Sequence, residues 1–348
     1  MSTTLRDLLT CGHDRRARPD AQGRIAFAAT GLSSIARPLV SEHLYREGFR
    51  PTYPGGAPFA VCVSHNVDRL MMPTFRAKLG ALRRNEVARS SRNVAGLFRR
   101  YVDRRYTVEH LLTTEASLEI RSAFHFLGAA PGHPGPNYGL DEIADQLAFV
   151  REDRCEIALL GGPTAYNDAG SLAWENHRML VASGAQVAGY RDHYLRYDPH
   201  RTWSPLRHET FTYDSSCGYL DQAGFRNGMC HPHRPLDPHT GRFLPIVELP
   251  VVIMDTTVLQ AMGLDIREAM ALCQQLVLAA KACAGVVTIV WHNHAPDPAW
   301  GRFYRDLIMF CRAQDAWFAT GKELVEHWMD SGHSNTLETM IKELIDRS

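Results

Sequence analysis

The chain has 348 residues, with 38 Lys/Arg against 38 Asp/Glu, 45% hydrophobic and 22% charged content, enough for one large α/β domain or two ordinary ones around a sizeable core. A formal charge of zero and a pI near 7.3 give no electrostatic reason to expect nucleic acid or a membrane surface as partner. No window approaches 18 apolar residues and the start, Met1-Ser-Thr-Thr-Leu-Arg6, lacks the plan of a signal peptide, so a cytoplasmic protein is expected.

In chain order, residues 1–56 have weak periodicity and read as an N-terminal arm or small subdomain. A Pro/Gly turn (Pro54-Gly-Gly-Ala-Pro58) then leads into the apolar run Phe59–Val63, a buried strand, which gives way to Ser64, His65, Asn66 and Asp68. The segment Arg76–Arg105 carries ten Lys/Arg against Glu86 and Asp103, with apolar residues at helical spacing, and reads as an amphipathic helix with a solvated basic face. Ser122–Leu127 is a second strand, 140–150 a helix, Cys155–Leu160 a third strand, 172–183 a helix and 186–190 a further strand. Strands at 211–213, 246–252 and 286–290 follow, then surface helices over 303–311 and 321–330. This alternation predicts a parallel sheet, closed or nearly closed as a barrel, with 331–348 left as a helical tail.

Polar residues peak where these strands end. His65 with Asp68, His193, Asp214 and His292 would converge at the carboxyl ends of barrel strands, where α/β proteins place their chemistry. Such a set could hold a divalent metal through imidazole and carboxylate, or run acid–base chemistry without one. The eight cysteines form no CxxC pair, which excludes a zinc ribbon and gives no disulfide framework. Arg191, Arg196 and Arg226 would suit a carboxylate or phosphate on a ligand, or pair internally with Asp198, Asp214 or Asp255. Cys230-His-Pro-His233 reads as substrate lining through His231 and His233, or as loop packing.

Several of these stretches together carry a resemblance. Ser64-His-Asn-Val-Asp68, Gly189-Tyr-Arg-Asp-His-Tyr-Leu-Arg-Tyr197 with Thr202-Trp203, Tyr213-Asp-Ser215, Gly224-Phe-Arg-Asn-Gly228, Glu248-Leu-Pro250 with Met254-Asp255, and Trp291-His-Asn293 resemble a bacterial branch of the polysaccharide deacetylase (NodB-homology, carbohydrate esterase family four-like) family, over about residues 57–330. The resemblance implies a distorted (β/α) barrel of the NodB-homology type and hydrolysis of an N-acyl C–N bond. It implies one divalent metal, zinc or similar, on an Asp and two His. Position by position, Asp68 matches the metal-binding Asp, Arg191 the Arg that orients the base, Asp214 the Asp that tunes the acid, and His292 the proton donor.

Two positions depart from that pattern. Asn66 stands where the family has its base, and an amide accepts no proton at physiological pH. Glu156-Ile-Ala-Leu-Leu-Gly-Gly-Pro163 puts Leu160 where the first metal His belongs, and Asn167 and Asp168 are the nearest polar substitutes. Three readings stay open: an amide hydrolase with a rearranged metal site of Asp68, His65 and His193 or His294, a metal-independent acid–base enzyme, or a non-catalytic binding protein. The cofactor is accordingly one divalent metal or none. The expected partner is a small-molecule or sugar-like substrate, contacted by Arg196, Arg226, His231, His233, Asp255, Trp291 and His294, in specialised biosynthesis or carbohydrate metabolism. No nucleic acid or membrane partner is expected, and homo-oligomerisation is left open.

Overall fold

The computed structural model describes residues 4–70, 108–129, 138–198, 202–206, 209–237, 240–293 and 298–347. The basic segment Arg76–Arg105 and His294 lie outside them. Among the described residues nine strands form one parallel sheet: β1 Ala60–Val67, β2 Ala123–Leu127, β3 Glu156–Gly161, β4 Gly189–Asp192, β5 Tyr213–Asp214, β6 Val247–Glu248, β7 Val251–Met254, β8 Val286–His292 and β9 Trp317–Ala319. Their order is β6-β5-β4-β3-β2-β1-β8-β7, with β9 added beside the first residues of β1. β1 is central, and all eight of its residues are buried. The run predicted to end at Val63 therefore continues as strand to Val67.

The single strand expected over 246–252 is two short ones. Leu249 and Pro250 separate β6 from β7, and these two strands are the opposite ends of the hydrogen-bonded path. Proline has no N–H to give a ladder, so pairing breaks there. Because only two residues join the outermost strands, the sheet must curl until its edges almost meet. The result is a (β/α) barrel whose seam is crossed by the chain rather than by a ladder. Leu249 N donates to Asp214 O (2.8 Å) and Val251 N to Cys217 O (3.0 Å), which holds the seam to the wall.

Helices Ala144–Glu152, Ala169–Ser183, Ile266–Lys281 and Pro298–Ala313 cover the barrel. Their starts follow ordinary capping chemistry. Asp168 accepts from Ser171 N, and Asp265 with Glu268 forms a capping box. The arm folds into helices Leu5–Leu9, Gly12–Arg16 and Leu39–Arg46. It is fixed by a fully buried ion pair, Arg226 Nε to Asp14 Oδ2 at 2.9 Å. Inside the barrel the Tyr213 ring needs glycine at 189 and 321, since a Cβ at either would come within 2.2–2.3 Å of it. No helix among the described residues is long and apolar enough to cross a membrane.

Candidate active site

The site lies where β1, β4, β7 and β8 end. Side chains alternate along a strand, so Ser64 and Asn66 share one face of β1 while His65 and Val67 share the other. Arg191 on β4 reaches the first pair. Its Nη1 donates to Asn66 Oδ1 (3.0 Å), and its Nη2 to Ser64 Oγ and Ser215 Oγ (both 2.9 Å). Its Nε donates to Ser215 O (2.8 Å). This guanidinium is buried, yet every acceptor it uses is neutral. Burial accordingly brings its pKa down, to about 10.

Asn66 sits opposite His292 in the β1–β8 register, and its Nδ2 lies 3.5 Å from His292 Nε2. The other side of that imidazole is held by Asp255, one residue beyond β7. Asp255 Oδ1 is 2.6 Å from His292 Nδ1, and Oδ2 accepts from His292 N (2.8 Å). Burial works against the charged imidazole, but the carboxylates of Asp255 and Asp68 outweigh it and hold the His292 pKa above its ordinary value. Across the mouth, His193 Nε2 stands 3.7 Å from Asp68 Oδ2. Here burial dominates and lowers the imidazole pKa. His193 opens a turn in which Tyr194 and Leu195 both take left-handed backbone (φ 62° and 46°), a conformation costing roughly 1–3 kcal/mol for each non-glycine residue.

The partner expected for His292 was Asp214; the structure gives it Asp255 instead. In register, Asp214 pairs with Tyr190 of β4 and Glu248 of β6, which places it on the sheet face opposite Arg191. There Ser216 Oγ donates to Asp214 Oδ1 (2.6 Å), while Glu248 accepts from Cys217 N and Trp203 Nε1. Burial pushes Asp214 up to about 6, and burial with the adjacent Asp214 charge raises Glu248 well above the carboxylate range. One proton shared by two buried carboxyls is the stable arrangement.

Other expectations are corrected in the same way. His65 does not join Asp68. It faces outward, its Nε2 on Glu115 Oε1 (2.7 Å) and its Nδ1 on Trp291 O (3.1 Å), with Tyr304 on the same carboxylate. Arg226 lies between Tyr197 and Tyr219 and pairs with Asp14, so its guanidinium is engaged within the protein. His231 and His233 bond to Cys283 O and to Asn227 and His231 O, and burial lowers both to about 4. Trp291 packs outward on Phe303, Trp300 and Tyr304. Arg196 donates to Pro163 O (2.5 Å) and stacks near Tyr166 and Tyr194. Asp168 is a helix cap. Ser64, expected on the floor of the site, and Ser215, next to Asp214, take a role that the sequence did not assign them, as acceptors for Arg191. His125, in register with Asn66, is also new. It is fully buried, neither ring nitrogen has a partner among the described residues, and burial lowers its pKa well below normal.

No protein-family model matches this sequence, and no curated protein does. Among solved structures, the putative polysaccharide deacetylase from Mycobacterium smegmatis superimposes with a TM-score of 0.57 at 19% identity, covering 81% of this chain and 94% of its own. The chain has the polysaccharide deacetylase fold. The family 4 carbohydrate esterase from Streptomyces lividans in complex with acetate is a looser likeness (TM-score 0.41, 7% identity, 76% and 93% covered). So is the Xyl-CE4 domain of a multidomain xylanase from the hindgut metagenome of Trinervitermes trinervoides (0.39, 11%, 79% and 91%).

On the polysaccharide deacetylase fold, the metal that the resemblance implied can be tested against the donors present. Asp68 and His193 face each other, but His65 is turned outward, and buried Leu160 has no lone pair to offer. Among the described residues no three His, Cys, Asp or Glu are grouped to hold a metal ion. Two donors fall short of the three protein ligands that catalytic metal sites ordinarily use. The described residues of the site do not fit that metal.

Proposed function

We propose that this protein hydrolyses the N-acyl C–N bond of a sugar-like or small polar substrate, with His292 and Asp255 as its proton-transfer pair. The supporting observation is the doubly anchored imidazole: Asp255 accepts from both His292 N and Nδ1, Nε2 faces Asn66, and Asp68 and His193 are close enough to act on the ring electrostatically. Water adds to the acyl carbon, the C–N bond breaks, and the amine leaves with a proton that His292 Nε2 has handled. Net, an amide and water become a carboxylic acid and an amine. Among the described residues the facing donors are Asp68 and His193, and on that set we favour a form of this chemistry without a resident metal.

The test is amine release from a panel of N-acetylated amino sugars and small N-acyl compounds, with and without a chelator. Turnover that survives chelation and falls by about 10²–10⁴-fold in His292→Ala is expected. Absence of amine release from every compound, with ligand binding unchanged by His292→Ala, would overturn the reading.

A further inference from the structure

We infer that Asn66 sets the direction of proton transfer: it presents His292 to the substrate as a base, with the lone pair on Nε2. This rests on the function proposed above and adds the residue that decides which way the proton first moves. An amide has one acceptor oxygen and one donor nitrogen. Arg191 can only donate, and its Nη1 is 3.0 Å from Asn66 Oδ1. That contact settles which way round the amide lies, so Nδ2 is the atom facing His292 Nε2, at 3.5 Å. On the far side of the ring, Asp255 can only accept, and at 2.6 Å it fixes the proton on Nδ1. The imidazole is thus read from both sides: N–H toward the carboxylate, lone pair toward the amide.

The protonated ring would point Nε2–H at the amide N–H, donor against donor. A carboxylate at position 66 would do the reverse, accepting from Arg191 and from Nε2–H together and so favouring an imidazolium. The exchange of a carboxylate for an amide therefore does more than delete a base. Relative to a carboxylate in that place, it shifts the neighbouring histidine toward the neutral ring that can take a proton. The step balances. Nε2 takes a proton from water as the oxygen bonds to the acyl carbon, and the resulting imidazolium returns that proton to the departing nitrogen as the C–N bond breaks. The imidazole itself is partly reachable, with its side chain 12% exposed.

Among the described residues, the charged and titratable groups around this ring include Asp255 after β7, Asp68 after β1, and Arg191 and His193 on and after β4. The carboxylates among them raise the His292 midpoint, which keeps it a strong base once deprotonated. A base must be unprotonated to act, so the rate climbs as pH rises through that midpoint. A proton donor in the same place gives a rate that falls through it.

Nitrogen-15 correlation spectra of histidine-labelled protein read the tautomer directly, with His292→Gln to assign the ring. The expected result is a neutral ring protonated at Nδ1 and bare at Nε2. The midpoint should rise by at least one pH unit (tenfold in proton affinity) in Asn66→Asp and by less in Asn66→Ala. A neutral ring protonated at Nε2 in the unaltered protein, or a midpoint unchanged or lowered in Asn66→Asp, overturns the inference. The tautomer measurement needs no substrate and no variant at position 66, and uses His292→Gln only to assign the ring. If it holds while no amide is cleaved, the proposed function fails and the role of Asn66 stands. If amides are cleaved with a rate that falls through the midpoint, the function stands and the direction is wrong.

Discussion

Asp255 and Asp214 are both buried aspartates at the carboxyl ends of barrel strands, and they have opposite fates. Asp255 meets a backbone N–H and an imidazole, and so has a partner that gains from its charge. Asp214 meets a serine and another carboxyl, so burial drives it toward the protonated form. The difference is one of neighbour and of face: β7 lies against β8, so Asp255 meets His292, while Asp214 points to the side of the sheet opposite Arg191. An aspartate becomes part of a proton-transfer site through the strand beside it as much as through its own motif.

The sharpest way to break this comparison is kinetic. Asp255→Asn should lower kcat/KM by about 10²-fold or more, on the scale of general acid–base contributions, whereas Asp214→Asn should leave the pH dependence of activity in place. Equal kinetic losses in the two variants, both shown to be folded, would erase the distinction. Next in size is the buried cation elsewhere in the barrel. Arg226→Met leaves Asp14 buried without its partner, and should cost roughly 3–5 kcal/mol in denaturant unfolding. Loss of less than 1 kcal/mol would mean that the arm is held by packing alone.

The two kinds of buried group also predict the pH dependence of stability. Glu156 and Glu175, both pushed by burial to about 7, and Asp214, at about 6, sit above their unfolded values. Their contribution is complete below the unfolded carboxylate range and is lost as pH rises through about 6 to 7. His231 and His233, lowered by burial to about 4, act in the other direction. Their contribution is complete above the unfolded value near 6.5 and is lost as pH falls toward 4. Between about pH 4 and 7 the two sets act in opposite directions and partly offset, and above pH 7 neither changes further. Removing one carboxyl exposes its share: the unfolding temperature of Glu175→Gln, relative to the unaltered protein, should rise from pH 4 to 7, and a difference that is flat across that range would contradict the burial of Glu175. The smallest effect concerns His65, which bonds outward to Glu115. His65→Gln should change turnover by less than about threefold and stability by about 1 kcal/mol, and a large kinetic loss would return it to the site.

Much of the architecture was legible in the sequence because apolar runs alternate with helical spacing, and short β-branched runs have few other uses. The approximate positions of the strands, and the gathering of polar residues after them, follow from that pattern. What did not follow was which face a residue takes. Where β1 stops decides whether His65 and Asp68 share a turn or lie on opposite sides of a strand, and no residue between Val63 and Val67 announces the end. Strand order was equally hidden, so Asp214 and Asp255 could not be told apart as partners for His292. The roles of Arg226, His231 and His233 depended on the arm and on the start of β8, segments distant in sequence that close around them only in the folded chain.

The Leu249–Pro250 joint has one more consequence. An open sheet offers two rows of unsatisfied amides and carbonyls to any passing extended chain, a hazard for aggregation. Here the outermost strands are two and four residues long and are spliced into one another, with a proline between them. A foreign strand finds no run of free donors long enough to grip, so the barrel gains the self-protection of full closure without completing the ring.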